Sequence, residues 1–221
     1  VPEQGFTNNE FATPIGVEGR SLRRNAPTSY NVAYQQTMFH DARDTSLETQ
    51  VFGPLLTREE MANPSMGFVL ETIHGAPDYN GLFEAAFGEI ADVRSLGYAL
   101  ASYQRTLVSG NSPFDKWKYR GEQDAISPQA KLGFDLFTGR AGCVACHEIG
   151  PDSALFMDHL LHNTGIGFHG DTQVRVSTEP VQVEISPGVF IPMTRKAVSS
   201  VGLPIQRDLG RLEVTNVPAD L

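Results

Sequence analysis

Two thiols and an imidazole stand close together in the stretch GRAGCVACHEIG, residues 139–150. Cys143 and Cys146 are the only cysteines among 221 residues, and His147 directly follows the second. Cys-x-x-Cys-His is the attachment signature of c-type haem. The two sulfurs add across the porphyrin vinyl groups, and the histidine supplies the proximal imidazole to the iron. Three other chemistries compete for these residues. A disulfide between them would close a small strained loop and leave the histidine without a task. A thioredoxin-like pair belongs beside a βαβ pattern, and none is visible. A tetrahedral zinc site needs further Cys or His ligands at finger-like spacing, and there is no second cysteine pair. Covalent haem alone uses both cysteines and the histidine.

The bulk composition narrows the partners. Hydrophobic residues make up 40% of the chain and charged ones 19%, which is ordinary for a globular protein with a core. The length allows one large domain or two small ones. A formal net charge of −9 argues against nucleic acid and against an anionic membrane surface. No apolar run approaches the roughly 20 residues that span a bilayer. The opening VPEQGFTNNE lacks the basic and apolar regions of a signal peptide. Because covalent haem is attached outside the bacterial cytoplasm, an export signal is expected to precede Val1.

The elements that must position this chemistry are mostly helical. Residues 1–30, rich in Gly, Pro, Asn and Thr, read as irregular loop. SLETQVFGPLL opens on a cap at Ser46 and is expected to stop near Gly53-Pro54. TREEMANPSMGFVLETIHG carries Thr57 and Glu60 at capping-box spacing, predicting a helix from there to Gly75, offset by Asn63-Pro64. PDYNGLFEAAFG reads as a short helix. IADVRSLGYALASYQRTLVSG is the clearest long one, with Val93, Leu96, Leu100, Tyr103 and Leu107 at helical spacing. NSPFDKWKYRGEQDAI reads as loop. Ser127 then caps a helix with Pro128 at its first position and Leu132, Phe134, Leu136 and Phe137 as an apolar side. That helix, residues 127–140, leads straight into the haem motif. VQVEISPGVFIPMT alternates around Ser186-Pro187-Gly188 and predicts a hairpin. The fold class is therefore mainly α: cytochrome c-like haem domains with long loops and one small β-hairpin.

Six stretches in order resemble the bacterial di-haem cytochrome c peroxidase and MauG family: RRNAPTSYNVAYQQTMFHDAR, SLETQVFGPLLTREEMA, SPFDKWKYRG, SPQAKLGFDLFTGRAGCVACHEIGP, LHNTGIG and DLGRLEVTNVPADL. The match runs from about Phe11 to Leu221, broken by a divergent segment near residues 170–200. Members of that family carry two Cys-x-x-Cys-His motifs, and the one present here corresponds to the second, electron-transfer haem. The resemblance implies that residues 1–112 belong to the N-terminal, peroxidatic domain without its haem-attachment motif. Residues 113–221 would be the C-terminal cytochrome c domain without its final segment. The first motif would lie upstream of Val1 and the segment with the second haem's distal ligand beyond Leu221, so the chain reads as the middle of a longer protein.

The resemblance also implies roles. Gln50, Pro54 and Glu60 fall where the family places the distal pocket of the peroxide-reacting haem. Glu60 would shuttle a proton between the peroxide oxygens, and Gln50 would orient the peroxide. The alternatives are a capping-box role for Glu60 and helix termination for Pro54. Asn25 matches a family asparagine at an interdomain calcium site; its alternative is fixing a turn before Pro27. Met157 and Met193 are the in-chain sulfur candidates for a distal ligand, His162 is placed near the haem edge, and His74, His159 and His169 read as surface or core residues. Two departures stand out. The loop PIGVEGRSLRRNAPT has Val17-Glu18 where reductively activated relatives carry an iron-blocking histidine, which favours a constitutively open, MauG-like state. The family's FWDGR reads FHDAR, so His40 replaces the tryptophan between the haems.

The function implied is a periplasmic haem c oxidoreductase that reduces hydrogen peroxide. Its electrons would come from a small cytochrome or cupredoxin, or from a protein substrate. One haem c is held here and a second outside these residues. A homodimer, or a complex with the missing portion, accompanies that reading. The alternative is a mono-haem electron-transfer protein or subunit without peroxidase activity.

Overall fold

A computed structural model describes residues 5–7, 13–164, 180–186, 189–194, 197 and 208–220. Eight helices are named in chain order: α1 Leu47–Gln50, α2 Phe52–Leu56, α3 Met66–Gly75, α4 Leu82–Phe87, α5 Val93–Thr106, α6 Pro113–Arg120, α7 Pro128–Thr138 and α8 Leu212–Thr215. Strands β1 Pro180–Ser186 and β2 Val189–Thr194 pair antiparallel as the expected hairpin, with Val183 opposite Ile191. The mainly helical class holds among the described residues.

The local chemistry explains most of these boundaries. Ser46, Ser65, Asp92, Ser112 and Ser127 each accept a hydrogen bond from a backbone N–H of the first turn of α1, α3, α5, α6 and α7. Such caps satisfy amides that have no partner within the helix. Three expectations need correction. The SLETQVFGPLL segment does not stop at Gly53-Pro54: it breaks at Val51 and restarts, with Pro54 in the first turn of α2, where a missing N–H costs nothing. No helix begins at Thr57. That residue is the C-cap of α2, residues 58–61 form a turn, and α3 starts only after Asn63-Pro64. The loop expected after Asn111 contains α6, opened by a reciprocal Ser112–Asp115 capping box and closed by Gly121 at φ 74°.

Helix α5 is the hub of the first half. Leu96 packs with Val69, Phe83 and Ala91, and Leu55, Leu70 and Ile73 flank that cluster. Ala101 joins Val32, Met38 and Leu47, with Phe39 against them. Gly97 permits the crossing of α1, because a Cβ there would lie 2.7 Å from the Glu48 carbonyl oxygen. A Glu48–Arg105 ion pair of 2.6 Å spans the same crossing.

In the second half Phe114 and Trp117 of α6 meet Phe134 of α7 at ring-centroid distances of 5.8 and 5.0 Å. Phe156 closes on Phe114 at 5.1 Å and on Phe137 at 6.0 Å. All but the tilted Phe114–Phe134 contact are edge-to-face, and such pairs add to the apolar burial of the rings. The predicted apolar side of α7 divides accordingly. Phe134 and Phe137 are half-buried in this cluster, whereas Leu132 and Leu136 are 65% and 42% exposed. The helix is as expected; full burial of its four apolar residues is not.

An arginine–carboxylate clasp brings distant parts of the chain together. Arg24 forks onto Asp208 at 2.5 and 2.6 Å and reaches Asp41 through its other nitrogen at 2.5 Å. Arg23 pairs with Glu213, and Arg211 donates to the backbone carbonyls of Asp41 and Ala42. Residues 208–220 are thereby fastened to the turn that carries His40.

Candidate functional site

Glu60 sits in the turn after α2, and three backbone contacts fix that turn. Met61 N donates to the Pro54 carbonyl at 3.2 Å, Glu60 N to Thr57 O at 3.0 Å, and Val17 N to Glu60 O at 2.9 Å. Gly16 lies so close that a Cβ would fall 1.7 Å from the Glu59 carbonyl oxygen. The 14–21 loop is thus clamped onto the backbone of Glu60, with Ile15 bridged to Ser21 at its neck. Glu18, at its tip, is committed to Arg20 at 2.6 Å.

The Glu60 side chain is half-buried and makes no hydrogen bond or ion pair with another described residue. Desolvation pushes its carboxyl above the ordinary range; nearby Arg43 pulls it down and Glu59 pushes it up. A carboxyl that holds its proton more readily than usual is suited to taking up and returning a proton. With no helix at Thr57, the capping-box role is absent. Gln50, at the end of α1, and Pro54, in α2, are also half-buried. The Pro54–Met61 hydrogen bond joins Pro54 to the Glu60 turn, whereas Gln50 makes no hydrogen bond to it.

The neighbouring FHDAR turn supplies residues the sequence did not single out. Phe39 and Ala42 adopt left-handed φ of 66° and 52°, and the turn is closed by Ala42 N donating to Phe39 O and by the Met38–Asp44 bridge. Phe39 faces Gly53, where a Cβ would lie 3.1 Å from its ring. The Arg43 guanidinium stacks 3.4 Å from the Phe39 centroid and also binds Asp41. Buried Asp41 has its carboxyl held below the ordinary range: Arg24 and Arg43 together outweigh desolvation. His40 is exposed on this turn. Asn25 directs its side-chain oxygen to Ala26 N at 2.9 Å, in keeping with the turn alternative.

The second constellation is built on α7. After Thr138 the chain turns through Gly142, at φ 69°, into a single 3-10 turn over Cys143–Ala145. Cys146 N and His147 N both donate to the Cys143 carbonyl, at 3.2 and 2.9 Å. The two cysteines are free thiols rather than a disulfide. His147 Nδ1 lies 2.9 Å from the Phe156 carbonyl oxygen, which makes it the protonated nitrogen and leaves Nε2 as the metal-binding one. Phe137 stands beside the imidazole at 6.1 Å. Two unpaired thiols, an oriented imidazole and an aromatic wall fit a covalently held haem. His162 pairs with Asp158 at 2.7 Å, and their ligand atoms lie within 4.8 Å of the Cys146 sulfur and of one another, which places His162 beside the motif. Met157 is half-buried next to Phe156, and Met193 is half-buried in β2. His74 Nε2 contacts the Ala91 carbonyl at 2.8 Å. His169 lies outside the described residues.

Comparison with known proteins identifies the family. The family model described as di-haem cytochrome c peroxidase matches residues 1–124. The methylamine utilization protein MauG of Methylorubrum extorquens is 43% identical over 167 residues, covering 75% of this chain and 45% of that protein. Among solved structures, the diheme peroxidase BthA from Burkholderia thailandensis superposes with a TM-score of 0.60 at 26% identity, over 67% of this chain and 42% of BthA. A MauG-like protein associated with microbial copper homeostasis shares the fold over 97% of this chain and 57% of its own, with a TM-score of 0.65 at 21% identity. The chain spans about half the length of the curated relatives it matches. With that family's model covering more than half of its residues, the chain belongs to the di-haem cytochrome c peroxidase family.

Proposed function

We propose that this chain forms part of a periplasmic haem c oxidoreductase that reduces hydrogen peroxide, drawing electrons from a donor protein or from a protein substrate. Covalently bound haem c is the cofactor that family membership implies. In this reading Cys143 and Cys146 hold it through thioethers, and His147 presents Nε2 to the iron while Nδ1 stays on the Phe156 carbonyl. Bound there, the haem supplies an iron that takes up and passes on single electrons. Residues 1–112 would contribute to the peroxide-reacting domain and residues 113–221 to the electron-transfer domain.

The observation that carries the reading is the half-buried Glu60 carboxyl, raised in proton affinity and unpartnered among the described residues. Reduction of one peroxide to two waters consumes two electrons and two protons. Glu60 can take the proton from the first oxygen and return it to the second as the O–O bond breaks, so that the leaving oxygen departs as water. Gln50 hydrogen-bonds the peroxide and Pro54 walls the pocket. By the sequence resemblance Val17-Glu18 stands where reductively activated relatives carry the blocking histidine, and in the clamped 14–21 loop Glu18 is occupied by Arg20. That supports an open, MauG-like site. The net charge of −9 suits a donor with a basic face.

In the haem-loaded, full-length protein, Glu60→Gln is expected to lower peroxide turnover by about a hundredfold to ten-thousandfold. The spectrum of the haem on Cys143 and Cys146 should not change. Undiminished turnover in the variant would remove Glu60 from the proton shuttle, and no peroxide turnover in the unsubstituted protein would leave electron transfer without peroxidase activity as the function.

A further inference from the structure

Arg43 stacks on Phe39, whose ring lies against Gly53 of α2. The carbonyls of Gly53 and Pro54 accept from Thr57 N and Met61 N on either side of Glu60, yet Arg43 and Glu60 make no ion pair among the described residues. Its guanidinium is held elsewhere. Nη1 donates to both oxygens of Asp41 at 3.0 and 3.2 Å, and the group lies 3.4 Å from the Phe39 centroid. Asp41 is itself 5% exposed and fixed from its other side by Arg24, with Arg211 on its backbone carbonyl. Phe39 is backed by Gly53. The Arg43 side chain is 41% exposed, and among the described residues this double hold is what keeps the long arginine side chain in place. A free guanidinium beside a half-buried carboxylate would pair with it, and a carboxylate paired in that way gives up its role as a proton acceptor.

We propose that Asp41 is a positioning residue for the peroxide site: by holding Arg43 on Phe39, it keeps the guanidinium out of ion-pair contact with Glu60, so that the carboxyl stays free to take and return a proton. This rests on the peroxidase reading of Glu60. The charged groups acting on Glu60 are Arg43, which favours its ionised form, and Glu59, which opposes it. The aromatic stack matters because a planar guanidinium on a ring is stabilised in a way an ammonium is not. The device couples the site to the far end of the chain, since Asp41 is in turn held by Arg24, which is forked onto Asp208.

The test uses the full-length, haem-loaded protein and reads Glu60 in two ways. One is the acid limb of kcat/KM for hydrogen peroxide against pH; the other is a peroxide-free infrared titration of the carboxyl stretch, assigned by its loss in Glu60→Gln. Asp41→Asn releases Arg43 toward Glu60 and should move the midpoint down by about one pH unit or more. Arg43→Gln removes the cation and should move it up. The double variant Asp41→Asn/Arg43→Gln should behave as Arg43→Gln alone, because Asp41 acts through Arg43. Arg43→Lys leaves the Arg24–Asp41 pair intact but loses the planar fork, and should lower the midpoint even if Asp41→Asn does not fold. An unmoved midpoint in Arg43→Lys, or a downward shift surviving in the double variant, overturns the proposal. If Glu60→Gln retains full turnover the proton-shuttle role of Glu60 fails, while the infrared titration still decides whether Asp41 governs the Arg43–Glu60 approach.

Discussion

The clasp between Arg24 and Asp208 permits a quantitative expectation. Its two short contacts form a bidentate pair between a guanidinium that is 19% exposed and a carboxylate that is 14% exposed. The Arg24 hydrogen bond, outweighing desolvation, lowers the Asp208 carboxyl from its ordinary value of 3.8 to about 2. A depression of about 1.8 units corresponds to roughly 2.4 kcal/mol at 1.36 kcal/mol per unit. The partial solvent access of both groups reduces the expected contribution to about 1–2 kcal/mol. Because the folded-state value is depressed, this stability is fully present above about pH 4 and is lost as the pH falls toward 2. Asp208→Asn should therefore lower the melting temperature at pH 7 by roughly 2–8 °C for a chain of this size. The gap between wild type and variant should shrink steadily between pH 4 and pH 2, which differential scanning calorimetry at several pH values would show. Equal melting temperatures at pH 7, or a gap that stays constant down to pH 2, would refute the energetic role of the fork.

Other outcomes are equally open to measurement. The double variant Cys143→Ser/Cys146→Ser should lose the mass of one haem by intact mass spectrometry, and the pyridine haemochrome yield should fall in step; an unchanged mass would exclude covalent attachment at this motif. Gly16→Ala places a Cβ where the Glu59 carbonyl stands, so it should destabilise by at least about 2 kcal/mol in a denaturant melt and disturb the carboxyl stretch of Glu60. A variant as stable as wild type would show that the loop is not clamped there. Ser112→Ala removes the cap and one arm of the capping box of α6 and should cost about 1 kcal/mol, measured as a midpoint shift in urea.

The two constellations differed in how far the sequence could reveal them, and the reason lies in contact range. Cys143, Cys146 and His147 are local: their spacing dictates the chemistry, and the capped, Pro-led helix α7 before them was legible from Ser127-Pro128. Even there, the Phe156 carbonyl that sets the His147 tautomer lies nine residues away, and no motif announces it. Helix α6 was overlooked because Asp115, Lys116, Lys118 and Arg120 dilute its apolar period, although Ser112, Pro113, Asp115 and Gly121 were all valid boundary signals. The hairpin succeeded because alternation and a Pro-Gly turn are both short-range.

Glu60 is the opposite case. Its local pattern, Thr57 followed three positions later by a glutamate, argues for a helix start, and the local pattern was misleading. The backbone of Glu60 is instead held by Val17, while Gly16 packs against Glu59 and the Pro54 carbonyl accepts from Met61. Its electrostatics come from Arg43 and Glu59, and Arg43 is placed in turn by Asp41 and Phe39. Most of these partners lie beyond any helical repeat, so no periodicity could reveal them. A capping glutamate would be satisfied by its own helix and could be replaced at a modest cost in stability alone. A glutamate brought by tertiary contacts into a half-buried position, without a partner among the described residues, bears desolvation with no local return, and perturbed carboxyls of this kind cluster at functional sites. The failure of the local rule at Glu60 removes its capping alternative and leaves the proposed proton shuttle as the reading to test.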